Sequence, residues 1–423
     1  MKHRWTLWVG IVLILNWITP AFTQETDTTE LLKAIDRIVP TMSALRGLEP
    51  KTPILKGVKT REEISQYLNK RVREDYTADR IKNEGKLLQK LGILPEGVSY
   101  LDLLVGLYTE QIGGFYDPRE KTLFLASWMP AAEQESVIVH ELTHALQDQH
   151  FNIEKIMEDD RRSVNDDRTL AHQALMEGDG MVVMLQHIIA PMKRHFSELP
   201  NLALVMQTQM AAMKSQYTVL KNVPQFLQET LVFPYGYGAS FIQQVWKQKP
   251  SWETINKIYS DLPASTEQIM HPEKYYATRD NPKEVNAEPQ VAPLGAQWKV
   301  AYKNVLGEFS LGLLLNQHLI DERSRRAASG WGGDQVLLLE NKEGKNAVLI
   351  STIWDTENDS EKFYAAMDEW FRLHFPKTTR KNETPTGFSL IQNGEFNALR
   401  RAGSSVRILI GLPENDSRKL TGF

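Results

Sequence analysis

The chain of 423 residues contains no cysteine. This absence excludes disulfide bonds, thiol catalysis and every zinc site built on thiolates. The chain also has little excess of charge of either sign, because 49 Lys and Arg residues against 53 Asp and Glu residues give a formal net charge of −4. Nucleic-acid-binding proteins usually carry a basic excess. We therefore predict no nucleic-acid partner, and any zinc site must use histidine and carboxylate ligands.

Apart from the N-terminal stretch, the chain has no apolar run long enough to span a membrane, so no membrane-spanning helix is predicted in the rest of the sequence. At the N-terminus, Lys2 and Arg4 precede an apolar stretch from Thr6 to Ile18, and Ala21 and Thr23 supply small residues before a cleavage point. This pattern predicts a signal peptide over residues 1–23 and export. Without cysteine, a bacterial periplasm or exterior is the better expectation, with membrane attachment only through an uncleaved signal segment.

Patterning predicts an α+β fold that is predominantly helical. Residues 24–110 form a helical region, which includes one long charged helix over 60–91 with Thr60 and Glu63 in capping-box positions. Residues 111–277 form a core in which a short strand, Thr122–Ala126, precedes a helix. Residues 278–297 are polar and proline-rich, and are interpreted as a linker. Residues 298–423 read as an α+β module with two hairpins, around Gly344 and Gly403, separated by an amphipathic helix.

The run VIVHELTHALQDQH in the core contains an HExxH motif at His140, Glu141 and His144. On a helix, side chains four residues apart lie on one face, so both imidazoles can direct a nitrogen at one zinc ion. The glutamate beside the first histidine can then accept a proton from a zinc-bound water. No P-loop, Rossmann glycine pattern or GxSxG elbow competes with this motif.

Two positions compete for the third protein ligand. His150 lies ten residues after His140, but Gln147 stands where the chain would need glycine to turn, and a continuous helix carries His150 about 15 Å away. Glu177 lies on a second, largely apolar helix, where Gly178 and Gly180 flank it and allow close approach to the HExxH helix. A carboxylate on such a face needs a partner, since burying an unpaired charge is costly. We favour Glu177, with His172 a weaker candidate.

His140, Glu141, His144 and Glu177 resemble the gluzincin pattern of thermolysin-like zinc metallopeptidases. The resemblance implies a metallopeptidase-like core in residues 111–277 and an edge strand, Thr122–Ala126, that holds the substrate backbone. The segments GFYDP, HELTHALQDQHF, EGD, STEQ…HPEKY and GWGGD also resemble an uncharacterised group of exported bacterial proteins. The chain departs from the gluzincin pattern because Gly180 and Met181 stand where a carboxylate normally orients a zinc-bound histidine.

The departure leaves Asp179 or Asp148 as the expected carboxylate partner of a zinc-bound histidine. For stabilising the developing oxyanion, the candidates are His271, then Tyr237, then Tyr235, the tyrosines lying on a glycine-rich segment expected to be a mobile loop.

The sequence therefore predicts an exported zinc metallopeptidase, with Zn²⁺ as cofactor and a peptide or protein as substrate. The alternative is a non-catalytic zinc-binding scaffold or binding protein of the envelope. No particular oligomeric state is predicted.

Overall fold

The computed structural model describes residues 28–75, 77–129, 131–205 and 223–420, so the predicted signal peptide lies outside the described residues. The fold is mixed α+β and mostly helical, as predicted. The first elements are α1 (Thr28–Arg46), β1 (Leu55–Lys59), α2 (Arg61–Asp75), α3 (Ala78–Lys90) and α4 (Tyr100–Gln111).

The predicted capping box is confirmed at the start of α2. The Thr60 backbone N–H donates to Glu63 Oε2 at 2.7 Å, and the Glu63 N–H donates to Thr60 Oγ1 at 3.2 Å. The single helix predicted over 60–91 is wrong, because α2 ends at Asp75 and Thr77 caps a separate helix. The Thr77 hydroxyl accepts the Arg80 N–H and so satisfies a free donor at the start of α3.

A small sheet follows, formed by β1, β2 (Gly114–Asp117) and β3 (Thr122–Ala126) in the order β1-β3-β2. The strand predicted at Thr122–Ala126 is confirmed, but its predicted position at a sheet edge is wrong. β3 pairs in parallel with β1 on one side and antiparallel with β2 on the other. Because both sides are used, β3 offers no row of free hydrogen-bonding groups to an extended substrate.

Helices that each bury one face in the same hydrophobic core form the centre of the molecule. They are α5 (Ala131–Phe151), the shorter α6 (Ile153–Arg162), α7 (Asp166–Ile189) and α8 (Gln225–Gln248). Two short 3₁₀ turns, Ala190–Met192 and Phe196–Glu198, follow α7, and the short helices α9 (Trp252–Ile258), α10 (Thr266–Met270) and α11 (Glu273–Tyr276) follow α8.

The helices α7 and α8 touch through glycine. A Cβ atom on Gly238 would lie 1.9 Å from the Ala174 carbonyl oxygen, and one on Gly178 would lie 2.2 Å from the Gly238 carbonyl carbon. Neither position therefore accepts a larger residue. The mobile loop expected for FPYGYGASF is wrong, because this segment lies inside α8, where its glycines admit the neighbouring backbone rather than providing flexibility.

The helix α12 (Glu288–Val291) and the 3₁₀ turn Ala292–Gln297 precede the C-terminal module. The module itself consists of β4 (Trp298–Asn304), α13 (Gly307–Asn316), α14 (Asp321–Ala328), β5 (Trp331–Asn341), β6 (Asn346–Trp354), α15 (Glu357–His374), β7 (Arg380–Thr384), β8 (Gly387–Gln392), β9 (Glu395–Ala402), β10 (Ser405–Pro413) and α16 (Glu414–Ser417).

The strands of this module form one seven-stranded antiparallel sheet in the order β4-β5-β6-β10-β9-β8-β7. Both predicted hairpins, β5–β6 and β9–β10, and the amphipathic helix α15 between them are confirmed.

Both faces of this sheet are buried. Along β5, Val336 and Leu338 join the main core, whereas the alternating Leu337 and Leu339 join a second apolar cluster. Ala287, Val291 and Leu294 cover that second face. Part of the segment interpreted as a linker, residues 278–297, thus packs on the sheet. The predicted domain boundaries themselves stay predictions.

None of the helices in the described ranges combines the length and the hydropathy needed to cross a bilayer.

Candidate metal centre

The HExxH helix and a second helix bring three donor atoms together. His140 and His144 lie one turn apart on α5, and their Nε2 atoms are 3.0 Å from each other. Glu177, on α7, places Oε2 at 3.0 Å from His140 Nε2 and 3.3 Å from His144 Nε2. All three residues are buried. They form a group that could hold a metal ion, and this is the ligand set that the sequence predicted.

The spacing of these atoms suits a small tetrahedral ion. Two donors about 2.0–2.1 Å from a common centre, at the tetrahedral angle, lie about 3.3 Å apart. The three separations in the trio are 3.0, 3.0 and 3.3 Å. Two imidazole nitrogens and one carboxylate oxygen also form a donor set typical of zinc. The residues present therefore fit the predicted group.

Without a metal, the trio behaves as a buried ion pair. Burial would raise the pKa of Glu177, but the charge of His144 and hydrogen bonds from both histidines lower it to about 2. Burial lowers the pKa of His140. Burial also disfavours charge on His144, but the Glu177 carboxylate outweighs it and raises the pKa of His144 to about 9. Binding a divalent cation therefore requires release of a proton from this pair.

Gln147 fixes the orientation of His144. Its amide nitrogen donates to the Met176 carbonyl at 3.0 Å and to Asp179 Oδ2 at 3.2 Å. The amide oxygen therefore faces His144 and accepts from His144 Nδ1 at 2.8 Å. When His144 releases its Nε2 proton, this hydrogen bond keeps the remaining proton on Nδ1 and leaves the Nε2 lone pair free, which is the tautomer that a metal ligand needs.

Asp179 holds the Gln147 amide in place by accepting one of its hydrogen bonds. It accepts two hydrogen bonds from Arg46, at 2.8 and 2.9 Å, and one from the Tyr259 hydroxyl at 2.8 Å. Asp179, one of the two expected carboxylate partners, thus reaches the histidine through Gln147 instead of directly. Asp148, the other, accepts from the hydroxyl of Tyr116 at 2.8 Å and pairs with Lys121 elsewhere.

Gly180 provides space for His140. A Cβ atom there would lie 2.8 Å from His140 Cε1 and 3.0 Å from its Nδ1. The glycine that departs from the gluzincin pattern is therefore the residue that admits this ring. His140 Nδ1 is buried and has no hydrogen-bond partner within the described residues.

Glu141, the predicted general base, is fully buried at 0% exposure. Its charge contributes to the raised pKa of His144, so the carboxylate lies near the trio.

The competing third ligands are placed elsewhere. The helix α5 continues through Gln147 to Phe151, so His150 stays at its C-terminal end, where Nε2 contacts the Glu49 carbonyl oxygen at 2.8 Å. His172 Nδ1 pairs with Asp160 at 2.8 Å. Neither belongs to the group of converging donors.

The predicted oxyanion donors do not lie near the trio in the order in which the sequence ranked them. His271 Nε2 lies 2.8 Å from Glu308 Oε1 in the C-terminal module, and Tyr237 stacks on Phe233 at 4.9 Å and hydrogen-bonds to Arg325. Tyr235, ranked last, has its ring centroid 6.2 Å from that of His140. It also lines a cavity of about 210 Å³ that reaches Glu177. The catalytic roles predicted for His271 and Tyr237 stay predictions.

Sequence reasoning missed Gln147 as a contributor, because it treated this residue only as an obstacle to a turn. It also missed Arg46 and Tyr259, which lie far from the motif in the chain. The one usable signal was spacing, since Gln147 follows His144 by three residues and faces the same side of the helix.

Comparison with known proteins adds little to the site. A family model described as a domain of unknown function (DUF8575) matches residues 298–421, in the C-terminal module. No curated protein matches the chain. Among solved structures, the chain is similar to a protein from Chloroflexus aurantiacus described as "a putative hydrolase with a novel fold", with 17% sequence identity and a TM-score of 0.37, over 60% of this chain and 91% of that one. At that level the similarity carries no argument about function, which rests on the geometry of the site.

Proposed function

We propose that the protein is a zinc-dependent peptidase whose centre is formed by His140, His144 and Glu177, with Glu141 as general base. The observation that carries the proposal is the convergence of three metal-type donor atoms within hydrogen-bond distance of one another, beside a fully buried carboxylate that is not one of them.

The metal, when bound, supplies a Lewis acid that polarises a carbonyl group and lowers the pKa of water. The chain supplies the proton transfers. Glu141 takes a proton from the attacking water at its carboxylate and later passes it to the leaving amine nitrogen. Its burial keeps bulk water away from this exchange and strengthens the electrostatic interactions around it. Glu177 and the two imidazoles hold the ion, and Gln147 keeps His144 in the required tautomer.

Tyr235 is the tyrosine best placed to contact a substrate carbonyl, since it borders both the cavity and the His140 ring. A phenol hydroxyl there would donate a hydrogen bond to the oxygen that gains charge during hydrolysis. The substrate is a peptide or protein, met in the periplasm or outside the cell if the predicted signal segment directs export.

A second candidate is a metal-stabilised binding or scaffold protein without catalysis. The observation that favours it is burial, because His140 and Glu177 are 0% and 4% exposed, as in closed structural sites.

Glu141→Gln separates the two functions. For a peptidase, the variant keeps about one zinc per chain and loses roughly 10²- to 10⁴-fold in activity, since general-base catalysis contributes about that much. Zinc content and cleavage of a mixed-sequence peptide library, read by mass spectrometry, provide the two measurements. Glu135→Gln, an exposed position on the same helix, is the matched control. Zinc-loaded wild type that cleaves none of the library would leave the scaffold function standing.

A further inference from the structure

The cavity beside the metal centre runs along one face of α7. Five of its lining residues are Asp166, Thr169, Leu170, Gln173 and Glu177. Apart from the adjacent pair Thr169 and Leu170, these residues recur every three or four positions, which places them on one side of the helix. Asp166 and Glu177 are eleven residues apart, which corresponds to about 16 Å along the axis. The cavity therefore begins at a metal ligand and ends about three helical turns away.

Its walls between these ends are mainly apolar. Side chains from α3, α4, α8 and the start of the C-terminal module contribute, among them Leu88, Leu104, Leu107, Leu227, Leu231 and Leu306. A space lined in this way selects an apolar group, because filling it removes apolar surface from water.

The end of the cavity farthest from the metal ligand Glu177 is polar, and carboxylates outnumber cationic side chains among the described residues there. Asp166 is held by Arg80 Nη2 at 2.7 Å and by the Asn304 side chain. Glu84 also lines the cavity, and within the described residues its hydrogen bond is the one donated by the Tyr100 hydroxyl at 2.9 Å. Two carboxylates thus face one guanidinium. Burial and the charge of Asp166 raise the pKa of Glu84 to about 7, against the opposing effects of Arg80 and Tyr100.

We propose that this cavity binds an elongated apolar group of the substrate that ends in an ammonium, with Glu84 as its counter-ion. The inference deepens the proposed peptidase function and rests on it, since the metal centre would act at the other end of the same group. A cation fits the far end better than an anion, because a cationic ligand would balance the second carboxylate while an anionic one would add to the excess.

The test uses octylamine on zinc-loaded protein at pH 7.5, with octanol and octanoate as neutral and anionic probes, measured by isothermal titration calorimetry. An alkylamine is protonated at this pH and does not ligate the metal. We expect octylamine to bind at least tenfold more tightly than octanoate. Hexylamine should bind more weakly, by about three- to fourfold for each methylene removed.

Variants locate the site. Glu84→Gln should lower octylamine affinity about tenfold and leave octanol affinity unchanged, whereas Glu96→Gln, in an exposed turn, should change neither. Gln173→Phe, which fills the middle of the cavity, should abolish binding of every probe while zinc content and the unfolding transition confirm a folded protein. Octanoate binding as tightly as octylamine would overturn the choice of a cation, and unchanged binding in Gln173→Phe, or no saturable binding to wild type, would overturn the site.

Failure of the two proposals is distinguishable, because probe binding needs no turnover. Octylamine that binds through Glu84 in a protein that cleaves no peptide would refute the peptidase and retain the pocket. Peptide cleavage that octylamine does not inhibit competitively would refute the pocket and retain the peptidase.

Discussion

Among the residues that the structure describes, two groups of side chains each bring three potential metal ligands within 4.8 Å of one another, and they differ in how the charge is neutralised. The first is the trio of His140, His144 and Glu177. The second consists of Glu267, Asp280 and Asp355, which we call the lysine-centred cluster. Lys274 Nζ lies 2.6 Å from Glu267, 2.9 Å from Asp280 and 2.8 Å from Asp355. The protein supplies its own cation there.

In the described part of the chain, no lysine or arginine forms an ion pair with the trio. The nearby Arg46 forms its ion pair with Asp179 instead. The comparison shows why composition alone is a poor guide to a metal site. In the lysine-centred cluster the neutralising charge sits on an ammonium, which cannot ligate a metal. In the trio it sits on the imidazole of His144, which becomes a metal ligand once it releases a proton. His271 is linked to the lysine-centred cluster rather than to the trio. It pairs with Glu308, and the charge of Glu308 raises the pKa of Glu267 in that cluster.

Removing one ligand from each group gives the largest expected contrast. Glu177→Ala should lower zinc affinity by more than about 100-fold, beyond the 10- to 100-fold cost of losing an outer-shell partner. Glu267→Ala, the matched variant in the lysine-centred cluster, should keep about one zinc per chain. Mass spectrometry of the native protein and competition with a chelator measure both. Zinc retained by Glu177→Ala would break the comparison.

Lys274→Met removes the built-in cation. Three carboxylates that had shared one ammonium would then repel one another, so we expect a loss of about 2–4 kcal/mol in the free energy of unfolding. This is less than the roughly 3–5 kcal/mol for a fully buried ion pair, because these side chains are partly exposed. Denaturant titration measures it. Lys257→Met, an exposed ion-pair lysine on α9, should cost below about 1 kcal/mol. Equal stability of the two variants would show that Lys274 does not neutralise the cluster.

Gln147→Leu tests how the trio is oriented. Without the amide, His144 loses the acceptor for its Nδ1 proton and the connection to Asp179, so zinc affinity should fall about 10- to 100-fold with the fold intact. Gln149→Leu on the same helix loses only contacts to the backbone of residues 51 and 52 and should retain wild-type affinity. Chelator competition reads the difference. Equal affinities would contradict the orienting role of Gln147.

The comparison also shows what the sequence could predict. Local spacing was sufficient for the HExxH helix, both C-terminal hairpins and the capping box, because each depends on residues close together in the chain. Glu177 could be selected as the candidate third ligand because a lone carboxylate on an apolar helix face requires a partner, and the structure places it against both histidines. The continuous helix past Gln147 followed from the cost of turning the chain without glycine.

Features that depend on distant partners were not predictable in the same way. The strand Thr122–Ala126 was correct, but its pairing with β1, more than sixty residues earlier, moved it from the edge to the centre of the small sheet. The glycines of FPYGYG indicated a loop, since nothing local shows that Gly238 must admit the backbone of α7. Arg46, Tyr259 and the cavity depend on contacts that a single sequence does not encode by spacing.

A further prediction concerns Asp167, a buried carboxyl on the helix that carries Glu177, which contacts Thr266, the neighbour of Glu267. Asp167, in the first turn of α7, accepts from the Thr266 backbone N–H at 3.1 Å and from the Thr266 hydroxyl, and packs against Gly307 of the C-terminal module. Burial raises the pKa of Asp167 to about 8, with Asp334 and Glu308 adding to the shift and Thr266 opposing it.

Because the pKa is higher in the folded state, Asp167 takes up a proton on folding between about pH 4 and pH 8, and its contribution to stability is lost as pH rises through that window. Asp167→Asn keeps the acceptor for Thr266 without the titration. Relative to wild type, the variant should therefore gain on the order of 4 kcal/mol between pH 5 and pH 8, read from denaturant unfolding at each pH. Asp102→Asn, at an exposed position, should run parallel to wild type. Parallel curves for Asp167→Asn as well would show that this carboxyl is not held protonated in the folded protein.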